Sequence, residues 1–136
     1  MMGQVSVHVT LTNARELVMS QLGRHAPKSV HTCEVEALID TERFYSIVPK
    51  SIARRLGLAW SRQSAMHPDG RWGEGEVTEA VQVDLYDRPA TIDALVMGKR
   101  VQLSASVLGQ TDLRYDKASG ELRPNIGTWK RPVFRV

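Results

Sequence analysis

The chain has 136 residues, a net charge of +3 and one cysteine, which is enough length for one domain over residues 1–136 with a core of its own. No apolar run approaches the ~20 residues that span a bilayer, and the positive charges are scattered, so neither a membrane protein nor a nucleic-acid partner is expected. The single cysteine and an N-terminus without the features of a secretion signal favour a cytoplasmic protein.

The first third of the chain is predicted to be mostly extended. Apolar side chains alternate with polar ones near the N-terminus, which is typical of a strand with one buried face. They are Val5, Val7, Val9 and Leu11. Residues 17–23 fit either a strand or a helical turn, and residues 25–29 are predicted to form a loop. Residues 30–39 are again extended, with one apolar face. That face carries Cys33, Val35, Ala37 and Ile39.

The middle of the chain is predicted to combine a short strand, a helix and a hairpin. After a turn at Asp40, residues 45–48 form the strand, and a helix over residues 50–56 ends at Gly57. The sequence His67-Pro68-Asp69-Gly70 is a turn signal between extended segments, so a hairpin is expected there.

The remaining elements are predicted to be short and closely spaced. They are a strand over residues 77–85, a turn at 87–89, a returning strand over 91–97, a turn at 98–100, a helix over 104–113 and a turn at 119–120. The tail over residues 126–136 has few structural cues. This pattern of many strands with two short helices indicates a compact domain resembling a β-barrel.

One segment contains candidate functional residues. The stretch Val35-Glu36-Ala37-Leu38-Ile39-Asp40-Thr41 is a buried strand that runs directly into an Asp-Thr pair. Asp69-Gly70-Arg71 marks the later hairpin, and Ala94-Leu95-Val96-Met97-Gly98 leads to a second position of interest. Together these motifs resemble the small bacterial branch of the retropepsin-like aspartic peptidases. The resemblance covers about residues 3–125, which would form the core of the domain.

The second signature of this family is two hydrophobic residues followed by glycine. Counted without a gap, it falls on Gln102-Leu103-Ser104, where serine replaces the glycine. A shifted alignment would use Val107-Leu108-Gly109, but it would delete most of the helix before Asp116. We favour the first alignment, so glycine is expected to be replaced here and also after Thr41, where the chain has Glu42.

The resemblance implies a mainly β fold: a retropepsin-like closed β-barrel with a flap hairpin and one or two short helices. It also implies a homodimer in which Asp40 and its symmetry mate share a proton and activate water against a peptide bond. Thr41 would hold the two active-site loops in register through its hydroxyl. Neither a metal nor a cofactor is implied. The tail over residues 126–136 lies beyond the resemblance, where it could wrap the partner subunit.

The residues implied to bind a peptide lie on the turn after Asp40, on the hairpin and in the second signature. They are Glu42, Arg43, Asp69, Gly70, Arg71, Trp72, Leu103 and Ser104. The expected substrate is an extended peptide or protein segment with apolar residues around the scissile bond. Trp72 either closes over this peptide or packs on its own hairpin.

Glu42 and Ser104 are expected to impair the site. If the turn needs a positive φ at Glu42, a residue other than glycine costs roughly 1–2 kcal/mol there. Two further carboxylates would also approach the pair of aspartates, and Arg43 is expected to relieve the repulsion by pairing with Glu42 or with its symmetry mate. Restoring glycine at both positions should then raise peptidase activity.

Three other functions stay open at this point. A catalytically inactive relative could keep the dimer and bind a peptide or a partner protein by strand addition. A basic nucleic-acid-binding barrel is a weaker alternative. His25, His31 and Cys33 have donors suited to zinc, but they fall short of four ligands, and Cys33 is expected to be a buried core thiol rather than a nucleophile.

Overall fold

A computed structural model describes residues 4–24 and 29–125 of the chain. About half of these residues lie in strands, so the predicted mainly β class is confirmed. The elements in chain order are β1 (Gln4–Asn13), α1 (Ala14–Gln21), β2 (Thr32–Asp40), β3 (Ser46–Val48), α2 (Lys50–Arg55), β4 (Trp60–Met66), β5 (Trp72–Thr78), β6 (Val81–Leu85), β7 (Arg88–Ile92), β8 (Ala94–Val96), β9 (Val101–Ser104), α3 (Ala105–Thr111), β10 (Leu113–Asp116) and β11 (Glu121–Pro124).

Nine strands form one curled sheet with the shape of a half-barrel. Their order across the sheet is β4-β5-β8-β3-β9-β2-β1-β6-β7, and β10 pairs with β11 as a separate hairpin. Most neighbours are antiparallel, but β2 runs parallel to β9 and β3 runs parallel to β8. Within the described residues the sheet has open edges at β4 and β7, so closure into a barrel stays a prediction.

The core has two parts. The larger part joins β1, β2, β6, β7 and β9 to the helices α2 and α3, and its fully buried side chains include Leu11, Ile39 and Leu103. The smaller part lies under the β4–β5 hairpin. It consists of Ile47, Ala65, Val77 and Leu95. The hairpin is therefore attached to the domain by a much smaller apolar contact than the rest of the sheet.

In the segment at residues 17–23, which fitted either a strand or a helical turn, residues 17–21 lie in α1 and residues 22–23 form the turn after it. The side chain of Asn13 accepts a hydrogen bond from the amide of Glu16 at 3.0 Å, which caps the first turn of α1. The same Asn13 donates to the carbonyl of Leu56 at 2.9 Å, so the cap also joins α1 to the end of α2. Capping and this tertiary contact select the helix.

Two predicted strands and one turn are wrong. The predicted strand over residues 77–85 breaks at residues 79–80 into β5 and β6, which lie far apart in the sheet. The returning strand over 91–97 breaks at Asp93 into β7 and β8. The turn predicted at 87–89 is made by Tyr86 and Asp87, both with positive φ, and Pro89 lies in the edge strand β7. Pro is tolerated there because an edge strand leaves amide positions unpaired.

None of the three helices in the described part of the chain has the length and apolarity that crossing a bilayer requires. Residues 25–28 of the predicted loop and the tail over residues 126–136 lie outside the described residues.

Candidate functional site

Asp40 is the last residue of β2, in the middle of the sheet. β2 pairs with β1 on one side and with β9 on the other, where Asp40 is aligned with Ser104. The residue before it, Ile39, is completely buried. The carboxylate is therefore held by a buried strand with hydrogen-bonded neighbours on both sides, and only 18% of its side chain is exposed.

The turn after β2 is built on Asp40 itself. The amide of Glu42 donates to Asp40 Oδ1 at 3.0 Å, and the amide of Arg43 donates to the Asp40 carbonyl at 3.1 Å. Glu42 is not among the residues with positive φ. The backbone strain that a positive φ would impose on Glu42 is therefore absent from this turn.

Arg43 pairs with Asp40 in this chain, not with Glu42 as expected. Its Nη2 lies 3.5 Å from Asp40 Oδ2, and only 16% of its side chain is exposed. Its Nε is buried and has no hydrogen-bond partner in the described part of the chain. Glu42, in contrast, is exposed. The turn thus presents one carboxylate neutralised by a guanidinium and a second carboxylate open to solvent.

A cleft of about 390 Å³ separates this turn from the β4–β5 hairpin. Its lining combines charged, aromatic and glycine residues from both sides. The lining residues are Asp40, Glu42, Arg43, Phe44, Tyr45, Met66, His67, Pro68, Gly70 and Leu95. The structure therefore brings together Asp40, Glu42, Arg43 and Gly70 of the predicted site.

Asp69 and Arg71 engage each other at the tip of the hairpin. The Arg71 amide donates to Asp69 Oδ1 at 3.0 Å and its Nε donates to Oδ2 at 3.2 Å. These hydrogen bonds, the backbone one foremost, lower the pKa of Asp69. Gly70 has a φ of +87°, which glycine adopts without strain. Asp69 and Arg71 therefore shape the turn, and of these three residues only Gly70 lines the cleft.

Two exposed aromatic side chains bridge the turn and the hairpin. Phe44 and Trp72 are 63% and 61% exposed, and their ring centroids lie 6.1 Å apart in an edge-to-face arrangement. Phe44 also contacts Tyr45 edge-to-face at 5.2 Å. Trp72 thus reaches across to the turn and does not pack only on its own hairpin.

Sequence reasoning missed His67. Its Nε2 donates to the carbonyl of Glu74 at 2.8 Å, and the ring lies against Gly73 and Gly75 of β5. A Cβ at Gly75 would come within 2.9 Å of Leu95 Cδ2 and 3.4 Å of the His67 ring. Two glycines spaced by one residue, on one face of a strand, were the available signal, because such a pair marks a close approach by another group.

The base of the hairpin is closed by Glu79. Backbone and side chain both take part: the Glu79 amide donates to the Ala59 carbonyl at 2.9 Å, and the Ala59 amide donates to Glu79 Oε2 at 2.9 Å. Arg15 of α1 donates from Nε to Glu79 Oε1 at 2.8 Å. The hydrogen bond from Arg15, followed by the one from the Ala59 amide, lowers the pKa of Glu79.

Leu103 and Ser104 lie in the interior and do not line the cleft. Leu103 is completely buried and Ser104 is 3% exposed. The Ser104 amide donates to Ser46 Oγ at 3.0 Å, and its hydroxyl is 2.8 Å from Ser106 Oγ. The alternative signature at residues 107–109 lies inside α3. Ser104 therefore belongs to a hydrogen-bonded serine network behind the turn.

No family model matches the chain, and no curated protein does. The functional assignment therefore depends on the geometry and chemistry of the cleft.

Thr41 follows Asp40 at the surface, where its side chain is partly exposed. Of the residues considered as zinc ligands, His25 lies outside the described residues. His31 Nδ1 lies 2.9 Å from Glu16 Oε1, and Cys33 is buried in the core. In residues 4–24 and 29–125, no group of three or more His, Cys, Asp or Glu is arranged to hold a metal.

Proposed function

We propose that the protein is a retropepsin-like aspartic endopeptidase that works as a homodimer through Asp40 and its symmetry mate. The observation that carries the proposal is the position of Asp40. This carboxylate ends a buried strand and lies in the wall of a cleft of about 390 Å³, opposite a protruding hairpin. A rigidly held carboxylate beside a groove of this size is suited to act on an extended chain.

The proposed fold assignment is a retropepsin-like barrel with the β4–β5 hairpin as its flap. It is supported by the curled sheet, by the parallel pairing of β2 with β9 and by the helix α3 directly after β9. The open edges of the half-barrel would be completed or covered in the dimer. Thr41 is partly exposed next to Asp40, and in the proposed dimer its hydroxyl would hold the partner loop.

The proposed chemistry uses two carboxylates and one water molecule. In the proposed mechanism the two carboxylates share one proton, so one accepts a proton from water while the other donates a proton to the peptide carbonyl. Two further charges per dimer come from Glu42, but Arg43 lies beside each Asp40 and offsets the repulsion. The hairpin would close over the peptide and exclude bulk water.

The test compares the purified chain with Asp40→Asn on a complex peptide mixture between pH 4 and 7. New peptide termini are mapped by mass spectrometry. We expect cleavage by the unchanged chain and at least a thousandfold less by Asp40→Asn, since an amide cannot act as the base. Asp84→Asn is the matched control, because Asp84 lies on β6 outside the cleft. Equal cleavage, or none, by the unchanged chain and Asp40→Asn would contradict the proposal.

The ion pair between Arg43 and Asp40 favours a second candidate, a non-enzymatic module that binds peptides in the same cleft. A guanidinium 3.5 Å from the carboxylate occupies part of the space that water needs for attack. In this case peptides bind, Asp40→Asn binds them equally well, and neither protein cuts them. Fluorescence polarisation with the same peptides separates the two functions.

A further inference from the structure

The mouth of the cleft exposes more aromatic surface than a folded surface usually leaves to water. Phe44 and Trp72 belong to the most exposed large apolar side chains in the described part of the chain. They also contact each other, one from the turn and one from the hairpin. An exposed pair of touching rings beside a cleft is a surface suited to a ligand.

The charge of the same cleft is unbalanced. Arg43 is engaged with Asp40, so its positive charge is matched within the turn. Asp69 and Arg71 at the hairpin tip match each other, and the Nε2 of His67 donates to a backbone carbonyl. The carboxylate left over is that of Glu42, which is exposed and makes no ion pair within the described residues. A dimer would double this negative charge.

Glu42 and Phe44 line the same cleft, and Phe44 contacts Trp72 beside it. A carboxylate that shares a cleft with an exposed aromatic ring is suited to a long cationic side chain. The rings attract a guanidinium or ammonium group through their π-electrons, and the carboxylate forms charge-assisted hydrogen bonds with it. An apolar side chain would contact the rings but leave the Glu42 carboxylate desolvated without a partner. An acidic side chain would be repelled. The combination therefore distinguishes cationic from neutral and acidic ligands.

We propose that the cleft selects peptides with an arginine or lysine side chain, held between the Glu42 carboxylate and the ring pair of Phe44 and Trp72. This inference rests on the proposed function, because it assigns the substrate class of the same cleft. It also gives Glu42 a role: the residue that replaces the glycine of the family motif determines which side chain the turn accepts.

The test separates binding from cleavage. Binding is measured by fluorescence polarisation on the unchanged full chain, so that Asp40 still matches Arg43. The probes are an apolar decapeptide with a central arginine and its twin with neutral citrulline, read within a time over which mass spectrometry shows both peptides intact. We expect the arginine peptide to bind about tenfold more tightly, which corresponds to about 1.4 kcal/mol. Adding Glu42→Gln should reduce this ratio to about one. Adding Glu74→Gln is the matched control and should leave it unchanged, since Glu74 lies on the same hairpin outside the cleft.

Further variants address the two halves of the proposed site. Phe44→Ala should lower the affinity for the arginine peptide by several-fold. Glu42→Lys should make a peptide with a central glutamate bind more tightly than the arginine peptide. Higher salt should lower the ratio between arginine and citrulline peptides. Both substitutions are at exposed positions, so the fold is expected to tolerate them.

The unchanged chain is assayed for cleavage of the same two peptides. Equal binding of both peptides, together with cleavage that depends on Asp40, would overturn the selectivity and leave the peptidase intact. Preference for arginine without any cleavage would support the selectivity and contradict the peptidase. Absence of both binding and cleavage would overturn both proposals.

Discussion

The turn after β2 and the β4–β5 hairpin face each other across one cleft, but they are supported very differently. The turn follows a strand that is hydrogen-bonded on both sides and packed into the larger part of the core. The hairpin has one backbone pair with the rest of the sheet, Val77 with Leu95, and Thr78 Oγ1 accepts a hydrogen bond from the Ala94 amide at 3.0 Å. It packs on the smaller apolar cluster, and Trp60 reaches the larger one. The turn therefore has more buried support than the hairpin.

This difference is what a site of this kind requires. A catalytic or binding group must be positioned to within fractions of an ångström, while a cover over the ligand must open to admit it. Regions with few buried apolar contacts open at low free-energy cost. Four predictions, taken in order of expected effect, test the contrast between the two walls.

Leu103→Ala should have the largest effect on stability. Leu103 is completely buried beneath the wall that carries the turn, and removing its side chain leaves a cavity that costs about 2–5 kcal/mol of unfolding free energy. Trp72→Ala on the hairpin should cost less than about 1 kcal/mol, because that ring is largely exposed. Urea denaturation measures both. Comparable losses for the two variants would contradict the contrast.

Ser104→Gly should destabilise the wall that carries the turn by about 1–3 kcal/mol, because it removes the hydroxyl from the serine network and adds a flexible residue to β9. Glu42→Gly, at an exposed position, should cost less than about 1 kcal/mol. Because Glu42 has no positive φ and Arg43 lies beside Asp40, Glu42→Gly is expected to keep the cleavage of neutral peptides and to lose only the preference for cationic ones. Thermal denaturation and the peptide assay check the pair, and a more active Ser104→Gly variant would count against this view.

His67→Ala should loosen the hairpin locally by about 1 kcal/mol, since it removes the hydrogen bond to the Glu74 carbonyl. Hydrogen exchange should become about fivefold faster for the amides of β4 and β5 and stay unchanged for those of β2. Gln63→Ala is the matched control, because Gln63 lies on the same hairpin and its exposed side chain donates a hydrogen bond to its near neighbour Ser61. Uniform acceleration across the sheet would show that the hairpin is not an independent unit.

Low pH should weaken the hydrogen bonds that Glu79 makes where the β4–β5 hairpin joins the domain. The pKa of Glu79 is lower in the folded chain than its ordinary value of 4.5, so its contribution to stability is complete above that value. The contribution is lost as the pH falls from 4.5 through the folded value. Because Arg15 is half exposed, we expect about 0.5 kcal/mol. Glu79→Gln should flatten the pH dependence of unfolding in this window, and an unchanged profile would refute the assignment.

The sequence predicted the region of the turn after β2 better than the β4–β5 hairpin. Alternating apolar residues identified β1 and β2, because a strand with one buried face imposes a period of two. Pro49 and Gly57 correctly bracketed α2, since proline fixes φ at a helix start and glycine adopts the positive φ that ends a helix. The sequence also placed Asp40 at the end of a buried strand. These features depend on short-range rules.

The errors come from tertiary context. The break at residues 79–80 was missed because the apolar pattern continues through it, while the chain leaves one side of the sheet for the other. The pairing of Arg43 with Asp40 and the burial of Ser104 depend on which groups the fold brings together. His67 was missed for the same reason, because its partners lie on the opposite strand of the hairpin.

The turn between β6 and β7 is a place where the chain can be made more stable. Tyr86 and Asp87 both adopt positive φ, the pattern of a type I′ hairpin turn, for which Asn-Gly is the favoured pair. Natural proteins are usually only as stable as their function requires, so stabilising substitutions remain available. Replacing the two residues by Asn and Gly should add about 1 kcal/mol of stability at a site remote from the cleft. Such a background would let destabilising variants of the cleft be produced and assayed in folded form.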